Sequence, residues 1–158
     1  MKVSIGIKDA DRQAVVGILN ALLADEYLLY TKSRNYHWNV VGPQFNDLHK
    51  FFEEQYTQLN QVVDEVAERA RTLGGRAFGT LAEFAQNARL KEEPGAIPDA
   101  RAMLANLVHD HEAIIQTLRA DIETVGERHH GMGTNDFLTG LMEQHEKMVW
   151  MLRSFLEG

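Results

Sequence analysis

Residues 48–69 read LHKFFEEQYTQLNQVVDEVAER, a stretch in which apolar residues return at steps of three and four. The pattern extends over about residues 45–73, with Leu48, Phe52, Tyr56, Leu59, Val63, Val66, Ala70 and Leu73 as its members. On an α-helix this spacing puts them all on one face. The Gly74-Gly75 pair that follows is typical of a helix end. The stretch therefore predicts one long amphipathic helix that packs against others.

Three further long segments show the same periodicity, and none alternates as a β-strand does. The first covers about residues 9–36, the third covers about 99–125, and the fourth begins near Thr134. Thr80-Leu81-Ala82-Glu83 resembles a capping box, which predicts a short helix in the long connection between the second and third segments. Four helices of about 25 residues with one long crossover match the ferritin-like bundle. We therefore expect an all-α, ferritin-like four-helix bundle that forms a single domain over residues 1–158.

The composition limits which metal ligands and which partners the protein can have. The 158 residues are 44% hydrophobic and 25% charged, as in an ordinary globular protein. Cysteine is absent from the sequence, so any metal ion must be held by nitrogen and oxygen. No apolar run reaches the ~20 residues of a membrane span, and the N-terminus lacks the apolar core of a signal peptide. We expect a cytoplasmic protein with no membrane partner. The net charge of −7 argues against a large basic surface for nucleic acid.

Four polar residues on the second helix have the spacing of metal ligands. His49 and Glu53 are four residues apart, as are Asp64 and Glu68, so each pair shares one side of the helix. His49 and Asp64 are separated by roughly 22 Å along the helix axis. One metal ion cannot contact both pairs. On a helical wheel the four residues lie beside the apolar stripe, where either solvent or a partner must cover them.

Two-fold symmetry would turn this separation into two complete sites. If two copies of the helix pack antiparallel about a two-fold axis, the histidine end of one meets the acidic end of the other. His37 lies just before a glycine–proline turn that can fold it towards His49. Imidazole and carboxylate ligands without thiolates suit iron, with zinc or manganese as substitutes. An exposed charged helix face with no ligand remains the alternative interpretation.

A series of motifs runs in order along nearly the whole chain. They are Tyr36-His37-Trp38-Asn39, Gly42, Phe45, Leu48-His49, Glu53, Asp64-Glu65-Val66-Ala67-Glu68-Arg69, Leu73-Gly74-Gly75, Thr134-Asn135-Asp136 and Trp150. In this combination they resemble the Dps family, the DNA-binding proteins from starved cells, which are also called mini-ferritins. The resemblance implies a hollow dodecamer built from two-fold dimers. Such a shell oxidises Fe(II), usually with hydrogen peroxide, stores the ferric mineral and protects against oxidative stress.

The resemblance also implies a ferroxidase site across the two-fold interface, where the iron ligands are the catalytic residues. His37, His49 and Glu53 would come from one subunit. Asp64 and Glu68 would come from the other. This division agrees with the separation along the helix. The family usually has aspartate where this chain has Glu53, a change that keeps the charge and lengthens the side chain.

Other residues near these motifs have two interpretations each. Trp38 either packs at the interface or is an oxidisable neighbour of the site. Glu127 and Asp136 match the region where the family has an acidic three-fold pore, although Asp136 is equally explained as a residue favoured at a helix start. Met132 replaces a family acid between them.

Three polar residues fall on or near apolar stripes, namely Glu26, His111 and His145. They predict either a hydrogen-bonded core cluster or a second metal site. The string Glu127-Arg128-His129-His130 contains a single E-x-x-H, whereas a di-iron centre inside one bundle needs that motif on two helices. Surface loop histidines are the preferred interpretation of this string.

Three functions remain open from the sequence. The first is the iron-oxidising storage shell. The second is a structural DNA-binding particle that protects the nucleoid and has a vestigial metal site, and the third is a helical metalloenzyme that forms no shell. Because the chain lacks long Lys/Arg-rich extensions, we expect weak or absent DNA binding at ordinary salt.

Overall fold

A computed structural model describes residues 3–157, and every regular element in that range is helical. The long helices are α1 (Asp9–Asn39), α2 (Phe45–Thr72), α4 (Ala100–Glu123) and α5 (Met132–Ser154). The short helix α3 (Leu81–Asn87) lies in the connection between α2 and α4. The predicted all-α, ferritin-like fold is confirmed.

Side-chain contacts show how the long helices are oriented. Tyr30 of α1 meets Tyr56 of α2. About two turns later on α1, and two turns earlier on α2, the ring of His37 meets that of His49, so the two helices run antiparallel. Contacts of Lys32 and Tyr36 of α1 with Asp110 and Asn106 of α4 show the same antiparallel relation. Because α2 and α4 both oppose α1, they run parallel to each other. The chain between them must therefore travel the length of the bundle, which explains the long crossover.

The apolar stripes meet in the centre of the bundle. Its largest fully buried side chains include Leu19, Leu22, Leu29, Phe52, Leu59, Leu107 and Leu118. Each fully buried side chain of this size contributes about 1.5–3 kcal/mol relative to an exposed one. Helix α1 is long and apolar enough by composition to cross a membrane, but most of that stretch is buried inside the bundle. Packing in the core thus accounts for its apolar character.

The predicted capping box starts α3. The backbone N–H of Glu83 donates to Thr80 Oγ1 at 3.2 Å, and the backbone N–H of Thr80 donates to Glu83 Oε2 at 3.1 Å. Hydrogen bonds from Arg76 and from the backbone of Gly79 lower the pKa of Glu83 to about 2. The carboxylate therefore stays ionised near the positive end of the helix dipole.

Two helix boundaries differ from the expected ones. Helix α1 continues to Asn39 instead of ending near residue 36, and the chain reverses only at Gly42, whose φ of +117° suits glycine. Helix α5 begins at Met132, two residues before the expected start. The end of α4 widens into a π-helical turn over residues 124–128, where the Asn135 amide donates to the Ile122 carbonyl at 2.8 Å. Apolar periodicity does not reveal such a turn.

Candidate metal centre

The end of α1 and the start of α2 bring two imidazoles together. The rings of His37 and His49 stack with centroids 3.8 Å apart. His37 Nδ1 lies 2.7 Å from the backbone oxygen of His49, and His49 Nδ1 lies 2.9 Å from the backbone oxygen of His37. Because a carbonyl oxygen can only accept a hydrogen bond, each Nδ1 must carry the proton. In the neutral rings each Nε2 then keeps the lone pair that a metal ion needs.

Aromatic neighbours hold this histidine pair in place. Phe45 stacks on His49 with centroids 5.1 Å apart, and Tyr56 meets the ring of His37 edge-on at 5.3 Å. His37 is buried, with 8% of its surface exposed, whereas His49 is half-buried. The hairpin between α1 and α2, which turns at Gly42, therefore presents two orientated imidazoles near its surface.

The three predicted carboxylate ligands lie at two separate places on α2. Glu53 lies one turn after His49 and is exposed, with Oε1 at a long 3.5 Å from the Tyr56 hydroxyl. Burial of the ring and the charge of Glu53 raise the pKa of Tyr56. Asp64 and Glu68 are exposed further along α2. Among residues 3–157 no group of three or more His, Asp or Glu side chains has an arrangement that could hold a metal ion.

An exposed apolar border surrounds the histidine pair. Trp38, Val41 and Phe45 all expose large parts of their side chains. The guanidinium of Arg34 lies 4.9 Å from the Trp38 ring centre. A surface on which several large apolar side chains are exposed together is typical of an interface.

The predicted pore residues lie at the junction of α4 and α5. Glu127 is exposed in the π-helical turn. Asp136 is exposed in the second turn of α5, beyond the first turn in which the helix dipole favours an acid. Met132 is the exposed first residue of α5. His129, expected in a surface loop, is only partly exposed and its Nδ1 lies 2.9 Å from Asp11 Oδ1. This hydrogen bond lowers the pKa of Asp11.

The three polar residues predicted on the apolar stripes form a buried hydrogen-bonded cluster. Glu26, His111 and His145 are each 0% exposed. His145 Nε2 lies 2.9 Å from Glu26 Oε1, and the Nδ1 atoms of the two histidines are 2.9 Å apart. Burial, and then the charge of His145, lower the pKa of His111 well below 6.5. These contacts match the hydrogen-bonded alternative.

Two residues near these clusters were not singled out from the sequence. Gln55 is buried, with 1% exposed, and neither amide atom has a hydrogen-bond partner within the described chain. Its position between Phe52 and Leu59 on the apolar stripe is the signal that could have identified it. Tyr56 was placed on that stripe as a core residue, but it is half-buried beside His37.

Comparison with known proteins identifies the family. The ferritin-like domain model matches residues 16–158. A low temperature-induced protein of Nostoc sp. is 52% identical over 157 residues, which are 99% of this chain and 88% of that protein. DNA protection during starvation protein 2 of Bacillus anthracis is 37% identical, with 90% of this chain and 96% of that protein covered.

A solved structure agrees with these relatives. The Dps protein of Vibrio cholerae O1, described as a member of a broad superfamily of ferritin-like diiron-carboxylate proteins, has a TM-score of 0.89 and 30% identity. The match covers 99% of this chain and 100% of that one. The chain therefore belongs to the Dps family of ferritin-like proteins.

Proposed function

We propose that this protein oxidises Fe(II) with hydrogen peroxide at ferroxidase sites shared between two subunits, and stores the ferric product in a dodecameric shell. The observation that carries this proposal is the reciprocal hydrogen bonding of His37 and His49, which leaves both Nε2 atoms free for a metal ion. The description of the Vibrio cholerae relative as a diiron-carboxylate protein supports iron as the metal.

The ligand set needs a second subunit. Two imidazoles and Glu53 are too few to hold two iron ions, and the remaining acids, Asp64 and Glu68, lie far along the same helix. An antiparallel α2 from a partner subunit would bring its acids beside the histidine pair. The exposed apolar border of Trp38, Val41 and Phe45 would be covered by the same contact.

The chemistry follows from the charges of this set. Three carboxylates, from Glu53, Asp64 and Glu68, stabilise Fe(III) more than Fe(II) because the higher charge gains more from anionic oxygen ligands. The neutral histidines fix the geometry. Two Fe(II) ions each lose one electron, and one peroxide takes both with two protons to give two water molecules. No hydroxyl radical is released when both electrons come from iron. Zinc or manganese could occupy the same ligands in place of iron.

Iron entry is proposed at the junction of α4 and α5. Three-fold symmetry would make a ring from each exposed acid, Glu127 or Asp136. A ring of carboxylates attracts cations and raises their local concentration. A cytoplasmic shell with this pore and with ferroxidase sites would protect a cell because it removes Fe(II) and hydrogen peroxide together.

Substitution of one ligand on each side of the proposed interface tests the site. In His37→Ala and in Asp64→Ala, oxidation of Fe(II) by peroxide should slow strongly, while Glu54→Ala removes an exposed acid next to Glu53 as the matched control. Stopped-flow absorbance of the ferric product measures the rate. Normal kinetics in both ligand variants would refute the assignment.

A second candidate function is protection of DNA by direct binding, which the name of the Bacillus anthracis relative favours. The net charge of −7 opposes it, because binding to phosphates depends on cationic side chains. We expect no stoichiometric complex in a gel-shift assay at low salt. A tight complex that forms without iron oxidation would favour this alternative.

A further inference from the structure

A row of tyrosines leads away from the histidine pair. The ring of Tyr56 meets His37 edge-on at 5.3 Å and Tyr30 at 6.2 Å, and Tyr30 meets Tyr27 at 5.7 Å. The row follows from the antiparallel contact of α1 and α2, because Tyr27 and Tyr30 are three residues apart on α1 and Tyr56 faces them from α2. Tyr56 is the member that contacts the proposed iron site.

One arginine holds the row together. The guanidinium of Arg34 lies 5.5 Å from the ring centre of Tyr30 and 5.4 Å from that of Tyr56. Its Nη1 donates to the Tyr30 hydroxyl at 2.6 Å. Within residues 3–157 no carboxylate forms an ion pair with Arg34, so contact with the rings is its main interaction. The rings of Tyr30 and Tyr56 are thus kept in fixed positions, and Tyr56 lies beside the proposed ligand His37.

Packing alone does not require the hydroxyl of Tyr56. A phenylalanine would fill the same half-buried space without a polar group to satisfy. The Tyr56 hydroxyl instead lies 3.5 Å from Glu53 Oε1, on the side of the ring that faces the proposed iron ligands. A phenol that can lose a proton and an electron together is a one-electron reductant.

We propose that Tyr56 supplies the second electron when a site holds only one Fe(II), an inference that rests on the proposed ferroxidase function. Peroxide needs two electrons to break its O–O bond without releasing a hydroxyl radical. Fe(II) gives one electron and becomes Fe(III). Tyr56 gives the other electron, its O–H bond breaks with the proton passing to a peroxide oxygen, and it becomes a neutral tyrosyl radical. One Fe(II), one phenol, one peroxide and one proton thus give one Fe(III), one tyrosyl radical and two water molecules.

The test uses the assembled protein loaded with less Fe(II) than its sites can hold. Peroxide is added, the mixture is frozen rapidly, and the radical is measured by electron paramagnetic resonance. Ring-deuterated tyrosine in the protein narrows the signal if the radical is a tyrosyl. We expect a tyrosyl signal in the wild type that decreases as the iron load approaches saturation, because a second Fe(II) then supplies the electron.

Substitution separates Tyr56 from the other tyrosines. In Tyr56→Phe the tyrosyl signal should be lost, and a spin trap should detect more released hydroxyl radical. Tyr36→Phe is the matched control, because Tyr36 lies on α1 outside the row and its hydroxyl accepts from Asn106. This control should keep the signal. Elution volume in size-exclusion chromatography checks that both variants assemble as the wild type does.

Each contrary result has its own meaning. A full tyrosyl signal in Tyr56→Phe would overturn the assignment of the radical to this residue. Oxidation of Fe(II) by the wild type with no tyrosyl radical at low iron load would overturn the inference and leave the proposed function standing. A wild type that does not oxidise Fe(II) at all would overturn both.

Discussion

His37 and His49 each bind the backbone of the other, and this pairing selects the nitrogen that faces outward. The two Nδ1–H groups donate hydrogen bonds to carbonyl oxygens at 2.7 and 2.9 Å, so neither ring can rotate freely. Orientation by a second group generally raises the affinity of a histidine ligand. The histidine half of the proposed metal site is therefore already ordered without a metal ion.

Buried His111 gives the protein a predicted pH dependence. Its folded-state pKa lies well below 6.5, chiefly because burial disfavours the charged ring. In the unfolded chain the ring takes up a proton near pH 6.5, so acid favours unfolding. We expect the free energy of unfolding to fall as the pH drops below 6.5, by on the order of 1 kcal/mol per pH unit and per subunit.

Denaturant unfolding measures this effect one pH unit above and one below 6.5, at a single protein concentration. His111→Leu should reduce the difference between the two conditions. His109→Leu is the control, because His109 lies two residues earlier on the same helix but is 83% exposed. An equal reduction in both variants would contradict the role of burial.

At the scale of the helices, the register of the contacts brings distant polar groups to one level of the bundle. The register of the α1–α2 and α1–α4 contacts puts Gln55 and His111 at the same level along the bundle axis, that of residue 31 of α1. The buried polar atoms that have no partner within residues 3–157 include Glu26 Oε2, both amide atoms of Gln55 and His111 Nε2. An unpaired buried polar group typically costs about 1–3 kcal/mol.

Gln55→Leu tests that cost. Leucine has a similar volume and removes the unpaired amide, so we expect stabilisation by about 1 kcal/mol in thermal or denaturant unfolding. Gln58→Leu, on the exposed side of α2, should change stability by less than about 0.5 kcal/mol. Destabilisation in Gln55→Leu alone would mean that the amide is hydrogen-bonded in solution, for example to buried water.

At the scale of the whole molecule, a shared site makes a specific prediction about mixed assemblies. A two-fold dimer of one His37→Ala subunit and one Asp64→Ala subunit contains one site with both substitutions and one site with neither. Mixed particles should therefore regain Fe(II) oxidation. Because one of the two sites in each mixed dimer is intact, the rate should reach up to about half that of the wild type.

Co-expression of the two variants with different affinity tags isolates the mixed particles, and stopped-flow oxidation measures their rate. Particles of each variant alone, purified in the same way, provide the controls. Mixed particles no faster than these controls would show that the ligands do not come from opposite subunits.

Candidate ligands could be proposed from the sequence because part of their pattern is local spacing. The step of four between His49 and Glu53 defines one side of a helix wherever that helix packs. The contacts of Tyr56 and Gln55 could not be assigned, because both lie on the same stripe as Phe52 and Leu59. Only the neighbouring helices decide which positions of a stripe reach the core and which reach its edge.

The sequence by itself determined the helical content, the long crossover, the capping box at Thr80 and the family, since these depend on periodicity and on short motifs in order. The tertiary structure decided the protonation pattern of His37 and His49, the bonds among Glu26, His145 and His111, and the row of tyrosines. The physical reason is that each of these joins segments distant in the chain. Such contacts depend on the register between packed helices, which no single helical pattern contains.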